Sequence, residues 1–462
     1  MEPTLKLALD LSFTHTEGAW RNPGSWVNYP YYTQPDIWED VARAAERGCI
    51  DMLFFGDGVG IPDTWGSSID AAVKWGLQWP RHDMSPTIAV MSRVTRHIGF
   101  CLTFSPTYMH PYYVARHVAS LDHVTGGRMA LNLITSARRS DAANYGFDEL
   151  MEHDRRYERG DEFIDVLKGL WNSIEPDAIV LDKETGVFAD PAKVHYLDHV
   201  GEFFNVKGPL NMLPAPQYHP VLVQAGASPR GMKSFARNAD VVFISRPTAP
   251  AMVKFREQLD NELAAVGRAP EEIQVLWPIH PMMGESSSHA KELEAQLIES
   301  VPLEAGGVFM AHKSGFDFST LPETFTLDEA IKAIEAENGS TAYLPKLAEK
   351  IGPDGVFTKE IFQQMGRESM IAGGPTLYGT AEDIADQICD LHSQTGPNIG
   401  FMISIHNFMP RNAVDFVDKV IPILQKRGVF KTSYGANKTL RDNLGVPLKR
   451  RSRAGCGLSA TE

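Results

Sequence analysis

The sequence has few cysteines, and they are widely separated. Among 462 residues there are four, none in a C-x-x-C pair: Cys49, Cys101, Cys389 and Cys456. Disulfide-rich secreted domains and zinc sites need closely grouped cysteines, so neither class is expected. The sequence also offers no cluster of histidines and carboxylates for a metal. The pattern indicates a cytoplasmic protein without a metal.

Long apolar runs and an excess of basic charge are missing as well. No stretch approaches the roughly 18 consecutive apolar residues of a transmembrane helix. The N-terminus, "MEPTLKLALDLSF", lacks the basic start and the long apolar core of a signal peptide. The chain carries 44 basic and 58 acidic residues, a net charge of −14. Because there is no basic stripe, neither nucleic acid nor a membrane is an expected partner.

What the sequence does contain is a series of short apolar runs that alternate with helical patterns. Amphipathic helices are predicted, for example, at 35–48 and 159–173. Continuous apolar strands separated by helices indicate a parallel sheet covered on its faces. The number of strands favours an α/β fold of the closed (β/α)₈ TIM-barrel type over a doubly wound open sheet. The eight predicted strands lie at 5–13, 51–57, 97–105, 128–136, 220–226, 240–245, 273–281 and 398–405.

Three segments exceed a minimal barrel. Residues 174–219, with Gly and Pro turns, are expected to form a β-rich excursion. Residues 299–375 form a long insertion between the seventh and eighth predicted strands, and connections of this length often cover an active face as a lid. Residues 428–462 are expected to form a C-terminal arm. The whole chain, 1–462, is predicted to be one barrel domain with these additions.

The turn after the fifth predicted strand, "GASPRG" at 226–231, suits an anion. Its small residues leave backbone N–H groups free to face a ligand at the start of the next helix. Gly226 and Gly231 have the spacing of a nucleotide P-loop. However, Met232 precedes Lys233, whereas a P-loop needs its lysine directly after the second glycine. The nucleoside-triphosphate interpretation is therefore rejected, and a single phosphate is expected.

The functional groups of a TIM barrel come from the C-terminal ends of its strands. In this sequence those ends form a polar rim rich in hydroxyls and amides, including Asp57 and Thr103. His153 and Tyr157 lie four residues apart at a predicted helix start, and His312 lies in the long insertion. Each of these residues also has a plainer interpretation as a cap, a strand residue or a solvated side chain.

Several stretches, taken in order along nearly the whole chain, resemble one family. They include "IDMLFFGDG" (50–58), "HPYYVARHVASLDHVTGGRMALNLITS" (110–136), "EHDRRYERGDEFIDVLKGLW" (152–171) and "QAGASPRG" (224–231). The chain resembles the bacterial-luciferase-like FMN-dependent monooxygenases. Within them it is similar to the branch of nitrilotriacetate monooxygenase, pristinamycin synthase, dibenzothiophene-sulfone monooxygenase and long-chain alkane monooxygenase.

The resemblance implies cofactors, partners and site residues. Reduced FMN and O₂ would be co-substrates, a separate NAD(P)H:flavin reductase would supply the flavin, and the chain would form a homodimer or homotetramer. Asp57 and Thr103 look like flavin-ring and ribityl contacts, and Ser228 looks like the centre of the phosphate cradle. The matching cofactor positions are Asp57, Thr103, His153, Tyr157, Ala227, Ser228 and Arg230. The catalytic candidates, for hydrogen bonding or proton transfer, are His15 and His312.

The function that the resemblance implies is a two-component flavin-dependent monooxygenase. It would oxygenate or oxidatively cleave a small organic substrate through a flavin (hydro)peroxide. If Trp65, Trp75 and Trp79 line the rim, a heteroaromatic, nitrogen- or sulfur-containing substrate is favoured; in the other interpretation they pack in the core. Two alternatives stay open. One is an FMN-dependent lyase that cleaves a C–N bond, such as riboflavin lyase, and the other is a non-catalytic flavin-binding barrel.

Overall fold

The computed structural model contains all eight predicted strands. They are β1 Lys6–Asp10, β2 Met52–Phe55, β3 Gly99–Phe104, β4 Met129–Leu133, β5 Val221–Ala225, β6 Val241–Phe243, β7 Gln274–Met283 and β8 Ile399–Ser404. The structure describes residues 5–12, 20–21, 34–136, 138–226, 228–336, 341, 344, 349, 352, 355–371, 374–404, 410–436, 438–446 and 448.

The strands pair in parallel and in chain order, from β1 to β8. The sheet closes because β8 pairs with both β7 and β1. The predicted (β/α)₈ barrel is therefore confirmed, and the open sheet is excluded. The strand β7 is longer than predicted, and its end, from His280 to Met283, pairs in parallel with an additional strand, Thr376–Gly379.

Helices follow the strands and cover the outside of the barrel. The first group is α1 Asp36–Arg47, α2 Asp70–Trp75, α3 Ser85–Val94, α4 Pro111–Thr125, α5 Arg139–Asn144, α6 His153–Trp171, α7 Pro229–Asn238 and α8 Ala249–Ala265. The second is α9 Ser287–Ser300, α10 Leu303–Ser314, α11 Leu327–Ala336, α12 Lys359–Ile371, α13 Ala381–Thr395, α14 Pro410–Asp415, α15 Ile421–Lys426 and α16 Leu440–Leu444. A π-turn, Phe416–Val420, joins α14 to α15.

Two of these helices show how the sequence sets their ends. The helix α1 places acidic residues in its first turn and buries Val41 and Ala45, and it stops at Gly48. Acidic side chains favour a helix N-terminus because of the helix dipole. The helix α6 begins six residues before the predicted helix at 159–173, because the Glu152 carboxylate accepts hydrogen bonds from the free N–H groups of Asp154 and Arg155.

Side chains that point into the barrel form a packed core of their own. Ala8, Met52, Cys101 and Ala130 are buried there, one from each of the first four strands. The N-terminal end of the barrel is closed by α16, part of the predicted C-terminal arm. Leu440 packs so closely that its Cδ1 would lie 2.4 Å from a Cβ on Gly99. Burial of this kind fastens residues 438–446 to the face opposite the strand ends that carry function.

The long insertion has a separate hydrophobic core. Its helices α10 and α12 cross at Gly306 and Gly366, where the Gly306 oxygen would lie 2.0 Å from a Cβ on Gly366. Phe318, Phe357 and Phe362 fill this second core. The antiparallel strands Thr324–Thr326 and Val356–Thr358 belong to the same insertion. The described parts of the insertion thus pack around a core of their own.

The segment 174–219 contains little regular strand. Two short strands, His199–Val200 and Asn205–Val206, pair antiparallel, and two isolated bridges join Ile174 to Val194 and Ile179 to Ala189. Several of its apolar side chains are exposed, including Phe188. Within the residues that the structure describes, no helix is both long and apolar enough to cross a membrane.

Candidate active site

One end of the site lies where β2 and β3 stop. Thr103 points into the barrel mouth, and its hydroxyl donates a hydrogen bond of 2.8 Å to the carbonyl of Phe55. The amide nitrogen of Asn132, on β4, donates to the Thr103 oxygen at 2.9 Å. Asp57 and Thr103, predicted as flavin-ring and ribityl contacts, line one cleft. Its remaining walls are Gly58, Val59, Phe104, Ser105, Tyr108, Met109, Ile134, Ser136, Asp141 and Tyr145.

The electrostatics of this cleft centre on Asp57. Burial raises the pKa of its carboxyl group, and the positive charge of Arg81 partly offsets that rise. The side-chain oxygen Oδ1 accepts a hydrogen bond of 2.7 Å from the N–H of Gly58. Two guanidinium groups lie beside Gly58. A Cβ atom placed on Gly58 would be 2.4 Å from Nη1 of Arg138 and 3.8 Å from Nη1 of Arg81. A polar, partly desolvated edge of this kind suits an N–H and carbonyl-bearing ring.

The other end of the site is the turn between β5 and α7. Ser228 caps α7, and its Oγ accepts a hydrogen bond of 3.0 Å from the N–H of Gly231. Gly226 has a φ of 140°, a conformation that side-chain-bearing residues rarely adopt. The hydroxyl of Tyr157 reaches over this turn, at 3.2 and 2.8 Å from the positions of a Cβ on Gly226 and on Gly231. The two glycines thus let the Tyr157 hydroxyl lie directly against the turn, at a helix N-terminus that favours an anion.

A buried carboxylate holds this turn from below. Asp161, on α6, accepts hydrogen bonds from Arg230 at 2.7 Å, from Ser234 at 2.6 Å and from Asn238 at 2.8 Å. All three donors lie on α7, so Asp161 fixes α7 against α6. Its ion pair with Arg230 also directs one predicted phosphate contact, and the Arg230 guanidinium lies 5.5 Å from the Tyr157 ring centre. The sequence gave no sign of this role, because the partners of Asp161 lie about 70 residues further along the chain.

His153 stands at the outer rim of the same turn. Its ring centre is 5.1 Å from that of Tyr157, and its Nδ1 is 2.6 Å from a carboxylate oxygen of Asp154. The His153 side chain is 47% exposed, so it reaches the site from the solvent side. His153, Tyr157, Ser228 and Arg230 are therefore brought together, as the sequence predicted. Ala227 lies outside the described residues.

The long insertion carries His312 at a buried position. This histidine lies on α10, is only 8% exposed, and its Nε2 atom is buried without a hydrogen-bond partner. Burial lowers its pKa well below the usual value, and the charges of Arg138, Lys313 and Arg81 lower it further. Two of these groups, Arg138 and Arg81, also border Gly58, next to Asp57. His15, the other catalytic candidate, lies outside the described residues.

Sequence inspection missed Asp10 as a polar group of the strand ends. Asp10, the last residue of β1, accepts hydrogen bonds from the backbone and the side chain of Ser12, and burial raises its pKa. The alternation of inward and outward side chains along the strand could have located this residue. Asn132 is one of the amides of the predicted polar rim, and its Oδ1 is buried and has no partner. Within the described residues, no group of three or more histidine, cysteine or acidic side chains could hold a metal ion.

The tryptophans predicted as rim residues behave differently from one another. Trp65 and Trp75 pack against the core of the long insertion, and the Trp75 indole donates a hydrogen bond of 2.8 Å to Glu304. These two half-buried residues thus pack as in the other interpretation that the sequence left open. Trp79 is 39% exposed and stays outside both cores.

The structure is a parallel (β/α)₈ barrel with the β5–α7 turn and a buried polar cleft at its strand ends. This combination is typical of cofactor-binding barrel enzymes. Comparison with known proteins narrows this class. Residues 18–397 match the family described as luciferase-like monooxygenase. The chain belongs to this family.

Individual relatives cover almost the entire chain. It is 38% identical over 437 residues to dibenzothiophene-sulfone monooxygenase of Rhodococcus erythropolis, with 94% of each chain covered. It is 34% identical over 444 residues to nitrilotriacetate monooxygenase component A of Aminobacter aminovorans, with 95% of each covered. The crystal structure of a riboflavin lyase with modified FMN and riboflavin superposes with a TM-score of 0.85, at 28% identity and 96% coverage of each chain. The predicted family and the predicted enzyme class are therefore confirmed.

Proposed function

We propose that this protein is the oxygenase of a two-component system that uses reduced FMN and O₂ to oxygenate or oxidatively cleave a small organic substrate. The observation that carries the proposal is the arrangement at the barrel mouth. A single-phosphate turn, with Tyr157 above it, and a buried cleft beside Asp57 open at the same end of one barrel. One ligand with a phosphate at one end and a polar, planar ring at the other matches both features.

The residues divide between the two ends of the flavin. Ser228, Ala227 and Arg230 would hold the phosphate, and His153 and Tyr157 would contact the phosphate or the ribityl chain. Gly226 and Gly231 allow the Tyr157 hydroxyl to lie against the turn, since a Cβ on either would come too close to that hydroxyl. Asp57 and Thr103 would contact the flavin ring and the ribityl chain. When bound, the reduced flavin supplies the electrons that activate O₂.

Residues near the barrel mouth would transfer protons and exclude water. His312 is neutral at physiological pH because burial lowers its pKa, so its free Nε2 can accept or donate a proton depending on the tautomer. His15 is the second candidate for this role. The insertion 299–375, which carries His312 on its own hydrophobic core, would act as the lid that keeps water from the reaction.

A separate reductase is expected to supply the reduced flavin. The nitrilotriacetate relative is a component A, and this name supports a system of more than one component. A homodimer or homotetramer is also proposed for this chain. For the substrate, the sulfone and amino-carboxylate names of the relatives support a nitrogen- or sulfur-containing compound. Since Trp65 and Trp75 are packed beneath the lid, a heteroaromatic substrate would rest on other side chains, such as Tyr108 and Tyr145.

A second candidate is an FMN-dependent lyase that cleaves a C–N bond. It is favoured by the structural similarity to the riboflavin lyase. The TM-score with that structure is 0.85, and the TM-score with a long-chain alkane monooxygenase structure is 0.83. Both activities would use the same flavin turn, so the geometry of Ser228 and Tyr157 supports either one. The two differ in the fate of the substrate.

Single-turnover product analysis separates these functions. Photoreduced FMN, the protein and ¹⁸O₂ are mixed with nitrogen- and sulfur-containing substrates or with riboflavin, and the products are identified by mass spectrometry. Label from ¹⁸O₂ in the product of one of these substrates supports the oxygenase. Conversion of riboflavin to lumichrome supports the lyase. Tight binding of FMN with no product from any compound would instead support a non-catalytic flavin-binding barrel.

A further inference from the structure

Asn132 has an unsatisfied hydrogen-bond acceptor in the middle of the barrel mouth. The residue lies on β4 and is 2% exposed, and its Oδ1 atom has no hydrogen-bond partner. Its neighbours across the sheet are Thr103 on one side and Val223 on the other. Val223 is apolar, so it offers the side-chain oxygen no donor. Leaving a buried acceptor without a partner is costly, and such groups commonly mark the place of a ligand.

The orientation of the Asn132 amide follows from its neighbours. The carbonyl oxygen of Phe55 can only accept, so the Thr103 hydroxyl, 2.8 Å away, must donate its proton there. Thr103 then has only lone pairs left for Asn132, which must therefore present its NH₂ group to Thr103 at 2.9 Å. A flipped amide would place two acceptors against each other. The oxygen of Asn132 is consequently the atom turned away from Thr103.

Together, the two side chains leave acceptors without a partner near the mouth. The Thr103 proton is committed to Phe55, and one of the two Asn132 amide protons is donated to Thr103. The acceptors that remain are Oδ1 of Asn132, which has no partner, and a lone pair of Thr103. Thr103 lines the same cleft as Asp57, which places this acceptor pair at the proposed ring end of the site. A ligand group that meets the pair must bring an N–H or O–H.

We propose that Asn132, oriented by Thr103, selects the reduced form of the flavin by accepting a hydrogen bond from its N5–H group. The inference rests on the proposed binding of FMN at this mouth. Reduced flavin carries a proton on N5, whereas oxidised flavin has a lone pair there. An acceptor facing N5 therefore gains a hydrogen bond in one redox state and meets an acceptor in the other. Asn132 is thus a redox-selectivity residue, and Thr103 positions it.

The test compares the affinities of the two redox states. Dissociation constants of oxidised FMN and of photoreduced FMN are measured anaerobically for the wild-type protein and for Asn132→Leu, which is similar in size and lacks the acceptor. The wild type is expected to bind reduced FMN more tightly than oxidised FMN. In the variant, the ratio of the two dissociation constants should change by about tenfold in favour of oxidised FMN. By linkage, the two-electron potential of the bound flavin would then fall by about 30 mV. Thermal unfolding checks that the variant is folded.

Two further measurements keep the inference falsifiable. Thr103→Val should lose the preference for reduced FMN as Asn132→Leu does, because the Asn132 amide is no longer oriented by a hydroxyl. Thr103→Ser, which keeps the hydroxyl, should retain the preference. With 5-deaza-FMN, which has carbon at position 5, the Asn132→Leu substitution should leave the ratio of affinities unchanged. An unaltered preference for reduced FMN in Asn132→Leu, or an equal loss with 5-deaza-FMN, would overturn the inference. Failure of the wild type to bind FMN in either redox state would instead overturn the proposed function.

Discussion

The hydroxyl oxygen of Tyr157 lies 2.8 Å from the position that a Cβ atom would take on Gly231. This distance is shorter than any ordinary contact of a methyl group, so α6 and the start of α7 meet without room for a side chain. The absence of that one methyl group lets the Tyr157 hydroxyl lie beside Ser228. The phosphate turn therefore depends on a glycine at 231 as well as on the hydroxyl at 228.

Gly231→Ala is expected to weaken binding of reduced FMN by about tenfold or more, because the methyl group displaces Tyr157 from the turn. Fluorescence titration under anaerobic conditions measures the change. Gly160→Ala is the matched control: it is also helical, and its Cβ would meet its nearest neighbour at 3.6 Å. That variant should bind FMN normally and gain stability slightly, since alanine favours a helix. Normal binding by Gly231→Ala would show that the phosphate lies elsewhere.

Asp161→Asn is expected to destabilise the protein by about 3 kcal/mol, because it leaves Arg230 without its carboxylate in a mostly buried place. FMN affinity should fall as well, since the amide nitrogen that replaces Oδ2 cannot accept the hydrogen bond that directs Arg230, while Oδ1 can still accept from Ser234 and Asn238. Urea unfolding measures the first effect and flavin titration the second.

The same helix pair provides the control for this prediction. One turn further along α6, Asp165 pairs with Arg237, and both side chains are about half exposed. Exposed ion pairs contribute little, so Asp165→Asn should change the free energy of unfolding by less than about 1 kcal/mol. Equal effects of the two substitutions would contradict a special role for Asp161.

His312→Asn is expected to lower the rate of single-turnover product formation by about 100-fold or more while leaving the affinity for reduced FMN unchanged. Because burial holds its pKa well below 6.5, the wild-type rate should stay constant from about pH 8 to pH 6 and fall only at lower pH. Stopped-flow mixing with O₂ and substrate gives both the rate and the pH profile. His123→Asn, at an exposed position on α4, should leave both unaltered. An inflection near pH 6.5 that His312→Asn removes would show that the ring is solvated, contrary to the geometry.

The stability of the protein should decrease in mild acid because of buried histidines such as His280. Burial lowers the pKa of His280 to about 4, whereas in the unfolded chain the ring titrates near 6.5. Between these values the unfolded state binds a proton that the folded state does not, so stability is lost as pH falls from about 6.5 towards 4. This residue alone contributes about 1.4 kcal/mol per pH unit in that window.

The measurement is the free energy of unfolding at about pH 7 and pH 5, by urea titration. His280→Leu should lose about 2 kcal/mol less than the wild type between these two conditions. The exposed His123→Leu serves as the control and should lose as much as the wild type. If His280→Leu shows the full wild-type loss, other groups dominate the acid transition.

The barrel could be predicted from the sequence because its strands are buried on both faces and so read as uninterrupted apolar runs. All eight were located, and the turn at Ser228 was found from its small residues. What the sequence could not give was the pairing of distant side chains. Asp161 and Arg230 are one example, and Thr103 with Asn132 is another, since each pair forms only when the strands and helices are in place. The role of Trp65 could not be decided from the sequence, because an aromatic residue in a loop has the same sequence pattern whether it faces a substrate or packs beneath a lid.

The most direct measurement is the affinity for photoreduced FMN, determined anaerobically for the wild type, Ser228→Ala and Asp57→Ala. If the flavin spans the barrel mouth from the α7 turn to the β2 end, the wild type binds it and each substitution weakens binding by about tenfold or more. The exposed His123→Asn variant should bind as the wild type does. Wild-type affinity in both Ser228→Ala and Asp57→Ala would contradict the placement of the flavin at this site.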